Sequence, residues 1–195
     1  MELYLIRHPR VTIDADICYG QSDVELADTF LTEICNVRFC VPQEFNVIIA
    51  SPLQRCSTMA QFFTASKIIH DVRLLEINFG AWELKRWNDI PAEQLNAWAE
   101  DVEHFRIPEG ETVYELLQRV VRCIVRIKAM RNVKTVGVFT HAGVIRCWLA
   151  HVAHLPLHEA LQLQIDYASV SKIVVRDDQM HIEYMNKQGG DMHGL

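Results

Sequence analysis

The run Leu3-Tyr4-Leu5-Ile6, followed directly by Arg7-His8-Pro9, constrains this chain more than any other stretch. Four apolar residues in succession predict a strand buried on both faces of its sheet, as in parallel sheets covered by helices. The run stops on a guanidinium and an imidazole, side chains that a core rarely takes in. Pro9 then lacks a backbone donor and ends regular pairing. A cation and an imidazole are thus delivered to the carboxyl end of a first, central strand. That is the edge at which open α/β sheets bind ligands.

The same pattern recurs twice. Asn46-Val47-Ile48-Ile49-Ala50 reads as a second buried strand and runs into Ser51-Pro52-Leu53-Gln54-Arg55. Ser before Pro predicts a helix with Pro52 at its first position, running to about Ala65 and carrying Arg55 in its first turn. Thr135-Val136-Gly137-Val138-Phe139-Thr140 is a third strand; it ends on His141, and Ala142-Gly143-Val144-Ile145-Arg146 opens another helix.

Between these lie further elements. Phe30, Leu31, Ile34, Val37 and Phe39 fall near helical spacing within Leu26–Phe39, and Ile68-Ile69-His70 reads as a short strand. Gly110-Glu111-Thr112 opens an amphipathic helix to about Met130, with Val113, Leu116, Leu117, Val120, Val121, Ile124 and Ile127 on one face and its Arg and Lys residues on a solvated one. Ala168–Val175 and Met180–Met185 alternate like antiparallel strands around Arg176-Asp177-Asp178-Gln179. From Trp87 to Pro108, tryptophans and acidic helix faces predict a lid of one or two helices inserted at roughly 84–110, and the tail from Lys187 through Gly189-Gly190 is expected to be mobile. The expected fold is α/β: a three-layer α/β/α sandwich, mostly parallel with an antiparallel edge and a small helical lid, in one domain.

Composition narrows the function classes. A formal charge of −6 argues against nucleic-acid or membrane binding by bulk electrostatics and leaves room for a small basic pocket. The six cysteines show no C-x-x-C pairing, which favours buried thiols over a disulfide frame or zinc site. The opening apolar run is too short for a signal peptide and no run reaches membrane-spanning length, so the cytoplasm is the expected compartment. No carboxylate cluster suits magnesium, and neither metal nor cofactor is expected. An exposed edge strand would offer a homodimer interface.

In a parallel sheet the three strand ends lie side by side, so Arg7, His8, Arg55 and His141 converge. Glu76, Gly80 and Glu83 lie on a fourth edge loop. Arginines with bidentate donors, together with helix amino ends, make a site for a tetrahedral dianion. Glu76 would be a misfit in a purely structural anion site, but it suits a proton donor to an alkoxide leaving group.

These residues resemble the histidine phosphatase, or phosphoglycerate-mutase-like, superfamily. The matching pieces are Leu5-Ile6-Arg7-His8, Ser51-Pro52-Leu53-Gln54-Arg55, Leu75 to Glu83, and Thr140-His141-Ala142-Gly143-Val144-Ile145-Arg146, in order along essentially the whole chain. Cys18-Tyr19-Gly20-Gln21-Ser22-Asp23-Val24 and the overall length look most like the α-ribazole phosphatases of cobalamin nucleotide-loop assembly. The resemblance implies a phosphomonoester hydrolase acting on a small molecule without a metal. His8 would be the nucleophile, transiently phosphorylated; Arg7, Arg55 and His141 would hold the phosphoryl oxygens; Glu76 would serve as acid and then base. Gln21, Trp82 and Glu83 are candidates for substrate binding. Phe79, Trp82 and Trp87 read either as core anchors tying the lid to the sheet or as rings lining the leaving-group pocket, with Trp82 the first choice for the second role, and Glu83 is the next candidate acid.

Three departures stand out. Pro9 replaces the glycine common after the nucleophile, Val11 and Asp14 replace a threonine and an asparagine, and Leu84 replaces the glycine after Trp-Glu. Asp14 would repel a phosphate and is expected to sit outside the pocket. A mutase would use the same five residues, but the short acidic lid lacks basic residues for a bisphosphate. A silent phospholigand-binding module would gain nothing from Glu76.

Overall fold

The computed structural model describes residues 1–189; the tail beyond, and with it most of the expectation about the tandem glycines, lies outside the described residues. Strand β1 (Glu2–Arg7) is followed by helix α1 (Phe30–Arg38), the short strand β2 (Glu44–Phe45) and β3 (Val47–Ala50). Helix α2 (Gln54–Ala60), strands β4 (Thr64–Ala65) and β5 (Ile68–His70), helix α3 (Ala92–Glu100) and helix α4 (Val113–Lys128) come next. Strand β6 (Thr135–Thr140), helices α5 (Ala142–Ala153) and α6 (Leu157–Ala160), and the hairpin β7 (Val170–Arg176) and β8 (Gln179–Lys187) complete the chain.

The main sheet runs β5-β3-β6-β1-β7-β8. Its first four strands are parallel, β7 is antiparallel to β1, and β8 is antiparallel to β7. The side-chain alternation of β1 shows why a continuous apolar run was needed. Leu3 and Leu5 join the core formed with α4 and α5, whereas Tyr4 and Ile6 join a second core with Ile34 and Val37 of α1 and Met59 of α2. The sheet is therefore covered on both faces, and the α/β/α sandwich stands. Helix α4 starts on a capping box in which the Thr112 side chain accepts from the Glu115 amide and the Glu115 side chain accepts from the Thr112 amide. It buries Val113, Leu116, Val120, Cys123, Ile124 and Ile127. A buried aliphatic side chain of this size contributes about 1.5–3 kcal/mol.

Register then fixes the site. Arg7 pairs with Thr140, and Ala50 pairs with Phe139 on one side and His70 on the other. The residues that follow these pairs, His8, Ser51 and His141, emerge together at one edge.

Several expectations need correction. Helix α2 begins at Gln54 and not at Pro52, because the Ser51 amide still donates to Phe139 O (2.9 Å) and Leu53 keeps an extended backbone (ψ 139°). It stops at Ala60 instead of Ala65, since Thr64 and Ala65 pair with β2. Leu31 and Phe39 of the first helical stretch are exposed. Strand β8 continues past Met185 to Lys187. Leu84 has φ +63°, a left-handed conformation that costs a side-chain-bearing residue about 1–2 kcal/mol. Residues 84–110 leave the sheet through a 3-10 turn at Trp87–Asp89 and α3, returning where the Ala81 amide donates to Pro108 O at 2.8 Å. Among the described residues, no helix is long and apolar enough to cross a membrane.

Candidate active site

His8 sits at the carboxyl end of β1, only 2% exposed, with its own amide donating to Thr140 O at 3.0 Å. Its Nδ1 lies 2.7 Å from the Pro9 carbonyl oxygen. A carbonyl only accepts, so Nδ1 carries the hydrogen, and in the neutral ring Nε2 keeps its lone pair. Burial, and then the charges of Arg55 and Arg7, push the ring well below the ordinary imidazole range. Pro9 can offer no amide to a ligand, but its carbonyl selects the tautomer.

Arg7 is packed with its guanidinium 3.7 Å above the Tyr167 ring, and Nη1 donates to Ile165 O at 2.6 Å. Its Nε is buried and has no acceptor among the described residues. A buried cationic N–H without a partner is costly, and an anionic oxygen is the natural acceptor for it. Arg55, fully buried in the first turn of α2, donates from Nη2 to Gly20 O (2.6 Å), from Nη1 to Ser22 O (2.9 Å) and from Nε to His141 Nδ1 (3.3 Å). Three of its five N–H groups are used, leaving two for a ligand. Because His141 Nδ1 accepts, Nε2 bears the hydrogen and donates to Ser51 Oγ at 2.8 Å. The His8 and His141 rings meet edge to face at 5.2 Å. The expected group of Arg7, His8, Arg55 and His141 is thus assembled at one edge, with both nitrogens of His141 engaged by protein partners.

Glu76 lies on the loop after the turn Val72–Leu74 and lines a cleft of about 860 Å³ that also takes in Arg7, Arg146, Phe79, Trp87 and Trp98. Its Oε2 accepts from the Gly143 amide (3.1 Å) and its Oε1 from the Ile77 amide (2.9 Å). A Cβ on residue 143 would come within 2.4 Å of Glu76 Oε1, so the approach of carboxylate to helix α5 requires the glycine. No group of three or more His, Cys, Asp or Glu residues among those described could hold a metal ion.

The three substrate-binding candidates lie elsewhere. Trp82 is 1% exposed, donates from Nε1 to Gln94 Oε1 at 2.7 Å and packs against Phe79, Trp98 and Phe105. It anchors residues 84–110 to the core and does not line the cleft. Phe79, Trp87 and Trp98 do, with Trp87 and Trp98 stacked at 6.1 Å and 9° between planes. Glu83 is fully committed to loop backbone, accepting from the amides of Gln21 (2.8 Å), Ser22 (2.7 Å) and Phe79 (3.1 Å) and from the Ser22 hydroxyl. This removes it as an alternative acid. Gln21 donates from Nε2 to the Glu76 carbonyl at 2.8 Å and braces the acid's backbone without reaching the cleft. Asp14 is outside the cleft and pairs with Arg86 at 3.3 Å.

The spacing of α4 predicts its Arg and Lys residues on a solvated face, but Arg119 turns inward. Its Nη1 donates to the carbonyls of Arg73 (2.9 Å) and Leu75 (2.5 Å), and its Nη2 to that of Glu76 (2.8 Å) and to Glu111 (2.6 Å). Glu111 in turn accepts from the Asn78 amide at 2.9 Å. This one side chain pins the loop on both sides of Glu76. The available signal was an arginine beside Leu116 and Val120, eight residues after Glu111.

Burying His8 and His141 as neutral rings gives stability a pH dependence. Both folded-state pKa values are lowered, mainly by burial. Between those values and the unfolded value of about 6.5 the unfolded chain binds more protons, so this contribution is complete above about pH 6.5 and is lost as pH falls below it. Carboxylates held low, such as Asp71 and Asp166, act in the same direction but below about pH 4. Urea unfolding from pH 8 to pH 5 is therefore expected to show a plateau and then a decline, with a shallower decline in His141→Gln. A flat profile down to pH 5 would contradict neutral burial.

The α/β/α sandwich thus gathers an imidazole pair, two arginines and a carboxylate near the carboxyl ends of its parallel strands. The family model described as "Histidine phosphatase superfamily (branch 1)" matches residues 3–188, and the chain belongs to that family. The chain is 24% identical over 196 residues to the adenosylcobalamin/alpha-ribazole phosphatase of Escherichia coli K12, covering 96% of this chain and 97% of that protein. It is 26% identical over 183 residues to a protein of Shigella boydii serotype 18 named a probable phosphoglycerate mutase, covering 89% and 84%. The crystal structure of the alpha-ribazole phosphatase from Shigella flexneri superposes with a TM-score of 0.86 at 24% identity, covering 96% of each chain.

Proposed function

We propose that this protein hydrolyses phosphomonoesters through a phosphohistidine on His8, and that its substrate is α-ribazole 5′-phosphate. The observation that carries the hydrolase reading is the tautomer of His8. With the proton held on Nδ1 by the Pro9 carbonyl, the Nε2 lone pair is available to attack phosphorus. The charge of the three equatorial oxygens is met by Arg7 and Arg55, which stay cationic throughout. Glu76, fixed by two amides at the cleft wall, gives its proton to the leaving oxygen as the P–O bond breaks and the P–N bond forms. It then takes a proton from the water that displaces Nε2, releasing inorganic phosphate and restoring His8. A cytoplasmic location belongs to the same reading, since buried free thiols such as Cys56 and Cys123 suit a reducing compartment.

Glu76→Gln is expected to lower kcat on an alkyl phosphate about a hundredfold or more, and on p-nitrophenyl phosphate far less, because nitrophenolate needs little protonation. Equal losses on both substrates would take the acid role away from Glu76.

The substrate reading rests on the cleft and the relatives. The stacked rings of Trp87 and Trp98 beside Phe79 suit a flat apolar group such as a benzimidazole, with stacking contributing about 1 kcal/mol beyond area burial. A phosphoglycerate has nothing to offer these rings. The value of kcat/KM for α-ribazole 5′-phosphate is expected to exceed that for 3-phosphoglycerate more than tenfold, and Trp98→Ala is expected to narrow the gap. Preference for phosphoglycerate or simple sugar phosphates would refute the substrate and leave the hydrolase standing.

A further inference from the structure

The reaction as described leaves one cleft cation unused. Arg146 lines the same cleft as Arg7 and Glu76, half-buried, on the first turns of α5. It stands three residues after Gly143, whose amide holds the Glu76 carboxylate. Residues i and i+3 share a helix face, about 4.5 Å apart along the axis. Arg146 thus lies on the same stretch of helix that holds the proton donor, and it lines the cleft together with Arg7.

Its guanidinium is fixed and only partly satisfied. Nε donates to the Leu163 carbonyl at 2.9 Å, while neither Nη nitrogen makes a hydrogen bond among the described residues. Two residues further along the same segment, the Ile165 carbonyl holds Nη1 of Arg7 at 2.6 Å. The segment 163–165 therefore sets two arginine forks side by side in one cleft, one in the phosphoryl site and one next to it. A rigid fork with free Nη edges is organised to meet oxygen acceptors. Burial and the neighbouring Arg7 disfavour its charged form, and Glu76 supports it.

We propose that Arg146 is a specificity-determining residue that binds the hydroxyl oxygens of a ribose on the leaving-group side of Glu76. The inference rests on the hydrolase reading, because it places the phosphoryl group at Arg7 and the bridging oxygen at Glu76. In a ribose 5-phosphate the ring hydroxyls lie on the leaving-group side of the bridging oxygen, where a cleft guanidinium with free Nη groups can meet them. The stacked tryptophans then take whatever base the ribose carries.

Calorimetric binding to the turnover-blocked His8→Ala protein tests Arg146 independently of turnover. Ribose 5-phosphate and n-butyl phosphate share a phosphoryl head, and only the first has hydroxyls. Adding Arg146→Gln is expected to weaken ribose 5-phosphate tenfold or more relative to n-butyl phosphate, the scale of lost hydrogen bonds to a charged group. Arg146→Lys, which keeps the charge without the fork, is expected to restore less than half of that loss on a logarithmic scale. Equal weakening of both ligands would make Arg146 a phosphoryl contact, and no weakening of either would make it structural; each overturns the proposal. Failure of the hydrolase reading would appear separately, as absent phosphate release by the unmutated protein.

Discussion

His8→Ala is expected to lower kcat/KM by about a thousandfold or more on every phosphomonoester, whatever its leaving group, since among the described residues no other side chain at this edge offers an unengaged, unprotonated nitrogen to phosphorus. The ring is buried, and among the described residues its side chain makes one hydrogen bond, to the neighbouring Pro9 carbonyl. Its removal should therefore leave the secondary structure intact by circular dichroism. An alanine variant retaining a tenth of the activity would transfer the nucleophile role elsewhere. His141 is the obvious alternative, and its Nδ1 is already engaged by Arg55.

Arg55→Ala is expected to be nearly as damaging, lowering kcat by about a hundred- to a thousandfold, the effect of deleting a preorganised donor to transition-state charge. The same guanidinium ties the carbonyls of Gly20 and Ser22 to helix α2, so a drop in Tm should accompany the kinetic loss. Arg55→Lys keeps the charge and loses the fork, and should recover only a small part of either. A rise in KM with kcat unchanged would show that Arg55 gathers substrate without stabilising the transition state.

The sheet and the reactive group were legible because one physical signal carried both. Short apolar runs such as Leu3–Ile6 and Val136–Phe139, too brief for a buried helix, read as strands covered on two faces, and pairing them in parallel presents Arg7, His8 and His141 along one edge. What the sequence hid was orientation. Trp82 lies close to Glu76 in the chain, yet the 3-10 turn Gly80–Trp82 directs its ring into the core, and Trp98, sixteen residues away, reaches the cleft instead. Glu83 looked available to substrate, but three loop amides claim it. Arg119 flanks the buried stripe of α4, where a long side chain can lie inward or outward. The carbonyls that draw it inward belong to a loop more than forty residues earlier in the chain. Local rules failed where tertiary pairing overrode them, as at Ser51-Pro52, where β6 holds the backbone extended.

The central claim, attack by His8 Nε2, is tested most directly by trapping the intermediate. The protein is mixed with a slowly turned-over phosphomonoester, quenched in alkali to preserve a phosphoramidate, and digested for peptide mass spectrometry. The account predicts one added phosphoryl group on the peptide containing His8, labile to acid and absent from His8→Ala. Phosphate release without any trapped phosphoryl group, or with the label on another residue, would contradict it.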